Sequence, residues 1–127
     1  MKPASIDFTV VSRLGGERRH YKAGEVIFRA GDPGEELFVI RDGTVGIEVK
    51  GVIVEHLGSS DIFGEMALVE AKPRSATVIA ETDCVVVPIS EKQFLTMVEY
   101  APSFSLAVIR TLAHRLREAN ENRRRAA

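Results

Sequence analysis

The sequence lacks several features that would indicate particular classes of protein. Its 127 residues include one cysteine, Cys84, so no internal disulfide can form and the chain fits a reducing compartment. The formal net charge is −1, which gives no sign of a nucleic-acid partner. Residues 1–7 contain no apolar signal segment, and no later stretch approaches membrane-spanning length. We therefore expect a cytoplasmic protein without a membrane span.

Patterns typical of catalytic and metal sites are also missing. His20, His56 and His114 lie far apart, and none belongs to an HxH pair with a nearby carboxylate. No Ser/His/Asp arrangement stands out. Cys84 begins an apolar run and is typical of a small buried hydrophobe. The sequence therefore favours a protein that is not an enzyme and has neither a metal nor a cofactor.

The residues that are present describe a globular chain rich in short strands. Hydrophobic residues make up 45% and charged residues 28% of the sequence, a balance typical of one domain with a core of its own. Turn signals recur about every 8–12 residues, which predicts a mainly β sandwich, β-roll or jelly-roll. Residues 17–20 are interpreted as a solvated charged stretch. The predicted strands cover residues 5–13, 25–29, 37–40, 45–49, 52–57, 75–81 and 84–89.

The periodicity changes from strand to helix at Ser90. Ser90 and Gln93 have the spacing of a capping box, which predicts a short helix after Ser90. Pro102 interrupts this pattern, and a second helix is predicted from about Ser103 into the 120s. Its apolar stripe is predicted to contain Val108, Ile109, Leu112 and Leu116. We predict a single domain over residues 1–127, with a β-roll at about 5–89 and two C-terminal helices at about 90–122.

The candidate binding residues are concentrated in residues 63–79, FGEMALVEAKPRSATVI. Gly64 allows close approach of the backbone, and Glu65, Met66 and Ala67 have free N–H groups at a helix start, which suits a phosphate. Arg74 suits a phosphate because its guanidinium bonds two oxygens and keeps its charge. Glu65 would repel a phosphate, so we expect it to accept a hydrogen bond from a hydroxyl. The alternative is that Glu65 and Arg74 form an ion pair beside a turn.

The segments 63–68 and 73–78 together resemble the phosphate-binding cassette of cyclic nucleotide-binding domains. These domains occur in regulatory subunits of cAMP-dependent kinase, in nucleotide-gated channels and in the catabolite activator family. The resemblance extends over roughly residues 21–116. It implies a β-roll with a short phosphate-binding helix, followed by a hinge helix and a lid helix. It also implies a sensor that binds cyclic AMP or cyclic GMP.

The resemblance assigns the sugar and phosphate contacts to particular residues. Glu65 would bind the ribose 2′-OH, and Arg74 would bind the exocyclic phosphate oxygens. The backbone N–H groups of Met66, Ala67 and Ala76 would complete the phosphate shell. Together with Gly64 and Ser75, these residues form the expected ligand-binding set.

The resemblance assigns a second group of residues to the base. Ile47 and Val49 would form an apolar wall, and Arg115 on the final helix would cap the purine as a cation–π partner. For Arg115 the alternative is an arginine on the surface of an amphipathic helix. Ser75 has a hydroxyl that permits either base, and cAMP is favoured over cGMP because most bacterial relatives of this kind use it.

The sequence also departs from the family pattern. Residues 1–20 predict a strand and a Gly-Gly turn, so the helix that usually precedes the β-roll is expected to be missing or replaced. No helix-turn-helix, kinase, cyclase or channel sequence follows residue 116. The chain is therefore expected to be a free-standing sensor or a fragment of a larger channel or regulator, with an unknown downstream protein and oligomeric state. A docking module that has lost ligand binding is the remaining alternative.

Overall fold

The computed structural model describes residues 8–126, and the side chains of residues 8–122. The strands form two antiparallel four-stranded sheets, with the orders β1-β8-β3-β6 and β2-β7-β4-β5. This confirms the mainly β roll with a short helix and two C-terminal helices. The elements are α1 (Phe8–Leu14), β1 (Arg19–Tyr21), β2 (Val26–Phe28), β3 (Glu36–Asp42), β4 (Val45–Val49), β5 (Val52–Leu57), β6 (Ile62–Phe63), α2 (Glu65–Glu70), β7 (Thr77–Ala80), β8 (Cys84–Ser90), α3 (Glu91–Tyr100) and α4 (Pro102–Ala126).

Strand β3 divides the core into two clusters. Leu37 and Val39 point to one face, where they pack with buried residues of α1, α3 and α4. Phe38 and Ile40 point to the other face, into the cluster between the two sheets, which also contains Cys84 as predicted. Because successive side chains alternate between the faces and both faces are covered, β3 has a continuous apolar sequence.

The N-terminal strand predicted at residues 5–13 is wrong over the part that the structure describes. Residues 8–14 form the helix α1, and residues 5–7 lie outside the described range. The loose alternation of this stretch also contains a helical spacing, in which Phe8, Val11 and Leu14 lie three residues apart. Val11 is fully buried in the cluster that the helices form with the sheet, and this packing decides in favour of the helix. The helix that was expected to be missing before the β-roll is therefore present.

The charged stretch at residues 17–20 contains the start of a strand that the sequence did not predict. Arg19 pairs with Val86 and Tyr21 pairs with Cys84, so β1 is the edge of its sheet beside β8. The side chains of Arg19 and His20 are exposed, as expected of a solvated stretch. The short strand β6 was also not predicted, because a run of two residues is too short to show periodicity.

The C-terminal helices follow the prediction in position and partly in orientation. Ser90 and Gln93 form the capping box, in which Ser90 Oγ accepts a hydrogen bond from the backbone N–H of Gln93 at 3.2 Å. In α4, Val108 is buried, whereas Ile109 and Leu116 are 60% and 64% exposed, so the predicted stripe is wrong at those two positions. The buried face of α4 is formed instead by Phe104, Ala107 and Val108, which pack on α3 and the sheet. Across residues 8–126 no helix has both the length and the apolar character needed to cross a membrane.

Candidate functional site

A cavity of about 150 Å³ lies where α2, β4, β5, β7 and α4 meet. All of the predicted site residues except Val49 line it; Val49, at the end of β4, is 39% exposed. The structure therefore brings together predicted site residues that are up to 68 positions apart in the sequence (47 to 115). The lining residues in the predicted set are Ile47, Gly64, Glu65, Met66, Ala67, Arg74, Ser75, Ala76 and Arg115, and those outside the predicted set are Phe28, Glu55, Leu57, Phe63 and Val78.

Gly64 makes the sharp turn from β6 into α2. Its φ is +78°, a backbone conformation that residues other than glycine rarely adopt. A Cβ at this position would lie 2.8 Å from Arg74 Nη1 and 3.3 Å from the carbonyl oxygen of Glu36. A glycine is therefore required here both by the backbone conformation and by the close approach of Arg74.

Both the backbone and the side chain of Arg74 are hydrogen-bonded to backbone groups of neighbouring segments. Its N–H donates to the Asp32 carbonyl at 2.9 Å, and its own carbonyl accepts from the Gly31 N–H at 2.7 Å. The guanidinium Nη1 donates to the carbonyl oxygens of Glu36 at 2.8 Å and Gly64 at 3.0 Å. Four hydrogen bonds thus tie Arg74 to the loop between β2 and β3, to the start of β3 and to the start of α2.

The Arg74 side chain is buried, with 7% of the residue exposed, and its Cζ lies 4.2 Å from the centre of the Phe28 ring. Burial lowers the pKa of Arg74, while the carboxylates of Glu36 and Asp32 act in the opposite direction. Its Nε is buried and has no hydrogen-bond partner among the described residues. A buried donor of this kind normally has an acceptor, so the guanidinium retains capacity to bind an anion.

Gly34, in the loop between β2 and β3, leaves the space that the Arg74 side chain occupies. A Cβ at Gly34 would overlap the Nε, Cζ and Nη2 atoms of Arg74. The position therefore has to be a glycine for the guanidinium to lie where it does. Sequence spacing could not show this, because Gly34 and Arg74 are brought together only by the pairing of their loops.

Glu65, the first residue of α2, is 6% exposed and has Arg115 as its ion-pair partner. Arg115 Nη1 donates to Glu65 Oε1, and Arg115 Nη2 donates to the carbonyl oxygen of Ile62. The third nitrogen, Nε, lies 4.0 Å from Glu55 Oε1. Among the described residues Glu65 is thus paired with Arg115 rather than with Arg74. Arg115 reaches into the cavity from α4 and bridges two carboxylates, and its stacking on a purine stays a prediction.

A larger open groove of about 870 Å³ lies on the other side of α2. It runs between α2, the loop that contains Gly34, and one side of α3 as far as Glu99. Neither Glu65 nor Arg74 lines this groove, and its charged side chains are of both signs, from Glu35 and Lys72 to Glu91 and Lys92. The groove therefore lacks the paired acceptor and guanidinium of the smaller cavity, but it leaves space between α2 and α3.

Comparison with known proteins gives a match over most of the β-roll. The family model described as the cyclic nucleotide-binding domain matches residues 18–100. An uncharacterised NTE family protein of Mycobacterium tuberculosis is 32% identical over 119 residues, which is 91% of this chain and 20% of that protein. The cAMP-dependent protein kinase regulatory subunit of Eremothecium gossypii is 38% identical over 79 residues, which is 61% of this chain and 17% of that protein. The chain thus spans about a fifth of the length of these relatives.

Solved structures show the same architecture. The catabolite activator protein of Thermus thermophilus superposes with a TM-score of 0.79 and 29% identity, and the match covers 91% of this chain and 55% of that one. The family model ends at residue 100, before α4 begins at Pro102. The family model therefore does not include α4.

Proposed function

Because the chain belongs to the cyclic nucleotide-binding domain family, we propose that it is a sensor that binds cAMP in the cavity between α2, β7 and α4. The observation that carries the proposal is that Glu65 and Arg74 line the same cavity. One offers a carboxylate that accepts hydrogen bonds, and the other offers a guanidinium that donates them. A cyclic nucleotide presents the matching pair, a ribose hydroxyl and an anionic phosphate.

Arg74 is the proposed phosphate ligand. Its guanidinium is fixed by two backbone carbonyls and a ring face, and one buried N–H has no partner among the described residues. Each hydrogen bond to a charged group contributes roughly 1.5–3 kcal/mol, so a few such bonds support micromolar affinity, about −8 kcal/mol. The backbone N–H groups of Met66, Ala67 and Ala76 are proposed to complete the phosphate contacts.

Glu65 is the proposed ligand of the ribose 2′-OH. Its Oε1 accepts from Arg115, and the structure gives its Oε2 no protein partner among the described residues. A carboxylate has lone pairs for several donors, so it can bind the hydroxyl and Arg115 together. Arg115 would then hold Glu65 in place for the sugar as well as cover the base.

The base is proposed to lie along β4 and β5, against Ile47 and Leu57, which line the cavity opposite α2. Ser75 is beside Arg74 and can bond either the phosphate or a guanine, so it does not decide between the bases. The preference for cAMP is supported by the related kinase subunit, whose name specifies cAMP dependence.

The size of the cavity supports a lid formed by α4. Small-molecule sites are usually about 300–1,000 Å³, whereas this cavity is about 150 Å³ with Arg115 inside it. We therefore expect Arg115 and α4 to move outward when a cyclic nucleotide enters the cavity. The space between α2 and α3 lets α3 act as the hinge. The ligand then shifts the position of α4 by as much as its affinity differs between the open and closed forms.

The relatives are about five times longer than the matched segment, so the activity that the sensor controls is expected to belong to another segment or partner protein. We propose that the position of α4 is the signal that this unknown partner receives. The cytoplasmic location stays a prediction from the sequence.

Calorimetric titration of the full chain with cAMP, cGMP and AMP tests the proposed function. We expect micromolar binding of cAMP, weaker binding of cGMP, and AMP at least tenfold weaker than cAMP because its phosphate is not closed onto the sugar. Absence of binding by either cyclic nucleotide at millimolar concentration would show that the site does not serve as a cyclic nucleotide sensor.

A further inference from the structure

Glu55 is an ionisable residue placed where an apolar base would lie. It is the register partner of Ile47 across the β4–β5 pair, and residues directly opposite each other in such a pair point to the same face. Both residues line the cavity. The register shifts between Ile47 and Glu48, and an irregularity of this kind commonly re-aims a side chain beside a binding site.

The carboxylate of Glu55 lies beside Arg115 without a hydrogen bond to it. Arg115 Nε lies 4.0 Å from Glu55 Oε1, while its other two nitrogens bond Glu65 and the Ile62 carbonyl. One guanidinium therefore spans the two carboxylates of the cavity. Glu65 is at the end near Arg74, through their shared neighbour Gly64, and Glu55 is at the wall formed by β4 and β5.

We propose that Glu55 selects the base, by accepting a hydrogen bond from the 6-amino group of adenine and repelling the 6-oxo group of guanine. This inference rests on the proposed function and deepens it. With the phosphate on Arg74 and the ribose on Glu65, the base extends toward β4 and β5, and the 6-substituent is among the purine atoms far from the sugar. A carboxylate accepts hydrogen bonds and cannot donate them, so it pairs with an amino group and not with a carbonyl oxygen.

The alternative is that Glu55 only holds Arg115 in place and does not contact the base. The two roles differ in what a substitution changes. Loss of a holder weakens all cyclic nucleotides by the same factor, because the sugar and phosphate are common to them. Loss of a base-reading carboxylate changes the ratio of affinities between nucleotides that differ at position 6.

The test is calorimetry on the full chain with three ligands: cAMP, cGMP and the cyclic 3′,5′-monophosphate of purine riboside, which has a hydrogen at position 6. We expect the unchanged chain to bind cAMP about tenfold more tightly than either of the others, as one hydrogen bond to a charged group predicts. Glu55→Ala is expected to bring the three dissociation constants within about threefold of one another. Glu55→Gln should fall between, because an amide can both donate and accept.

Glu48→Gln is the matched control, since Glu48 follows Ile47 on β4 and does not line the cavity. It should leave all ratios unchanged. Equal weakening of the three ligands by Glu55→Ala would overturn the inference and leave the proposed function standing. Selective loss of cGMP would also overturn it, because Glu55 would then bond the N–H groups of guanine. If the unchanged chain binds none of the three, the proposed function fails and the inference fails with it.

Discussion

The two arginines that line the cavity are held in opposite ways. Arg74 starts from the β-roll, and its four hydrogen bonds are to backbone groups of the same roll. Arg115 starts from α4, and it connects that helix to Glu65 and to the Ile62 carbonyl of the roll. Arg74 is therefore part of the β-roll, which we call the frame. Arg115 instead joins this frame to α4, which lies outside it.

This difference assigns separate tasks to the two walls of the cavity. A rigid Arg74 would present the same guanidinium to every phosphate, so we expect it to set most of the affinity. Arg115 is carried by α4, so under the proposed function it would link occupancy of the cavity to the position of that helix. Substitutions on the frame should therefore change affinity strongly, and substitutions on α4 should change affinity less and helix motion more.

The largest effect is expected from Arg74→Ala. It removes the proposed phosphate ligand and should weaken cAMP binding at least tenfold and by about a hundredfold if two bonds are lost. The measurement is calorimetry, with circular dichroism to show that the variant is folded. Arg19→Ala is the control, because Arg19 contacts Glu36 and the Phe38 ring but does not line the cavity. An unaltered dissociation constant for Arg74→Ala would contradict the phosphate assignment.

The sequence was sufficient for the parts of this site that are local in the chain. Gly64 and Glu65 mark the start of a helix by themselves. The strand that follows Arg74 is indicated by its own β-branched residues. Capping at Ser90 is also decided within four residues, and the structure confirms it. These features depend on backbone geometry and short-range hydrogen bonds, which leave a signature in the order of residues.

Features that depend on distant packing left no such signature. The N-terminal helix is decided by the burial of Val11 against α3 and β8, which the alternation at residues 5–13 does not show. Glu55 faces the cavity because of its register with Ile47 and an adjacent shift in that register. Val49 was expected on the same wall from its alternation with Ile47, yet it lies at the exposed end of β4, outside the cavity lining.

Gly34→Ala should have the next largest effect, because it disturbs the frame without touching the chemistry. The added methyl group would overlap the Arg74 guanidinium, so the side chain must move. We expect cAMP binding to weaken by about tenfold, on the order of 1.4 kcal/mol, measured by calorimetry. Gly58→Ala is the control, since its Cβ would meet nothing closer than 3.9 Å. Equal affinities of the two variants would show that the position of Arg74 is adjustable and would contradict a rigid frame.

Arg115→Ala is expected to weaken cAMP binding by only a few-fold, because Arg74 is untouched and the ribose hydroxyl can still donate to Glu65 at the start of α2. Its main effect should be on α4. In the unchanged chain, saturating cAMP should shift the amide resonances of residues 101–120, and Arg115→Ala should reduce those shifts. Arg117→Ala, on the exposed side of α4, is the control. Amide resonances that do not respond to cAMP in the unchanged chain would contradict the proposed lid.

Ser75→Ala should give the smallest effect. It tests a second residue on the wall of the cavity that carries Arg74. Ser75 follows Arg74 and lines the cavity, but it is exposed, so its hydroxyl exchanges one partner for water at little cost. We expect cAMP binding to weaken by no more than about threefold, since a neutral hydrogen bond contributes roughly 0.5–1.5 kcal/mol. Parallel calorimetry with cGMP separates two uses of the hydroxyl. Equal weakening of both nucleotides means that it faces the phosphate, which belongs to the frame. Selective weakening of cGMP means that it also reaches the base, and the base would then be read from both walls of the cavity.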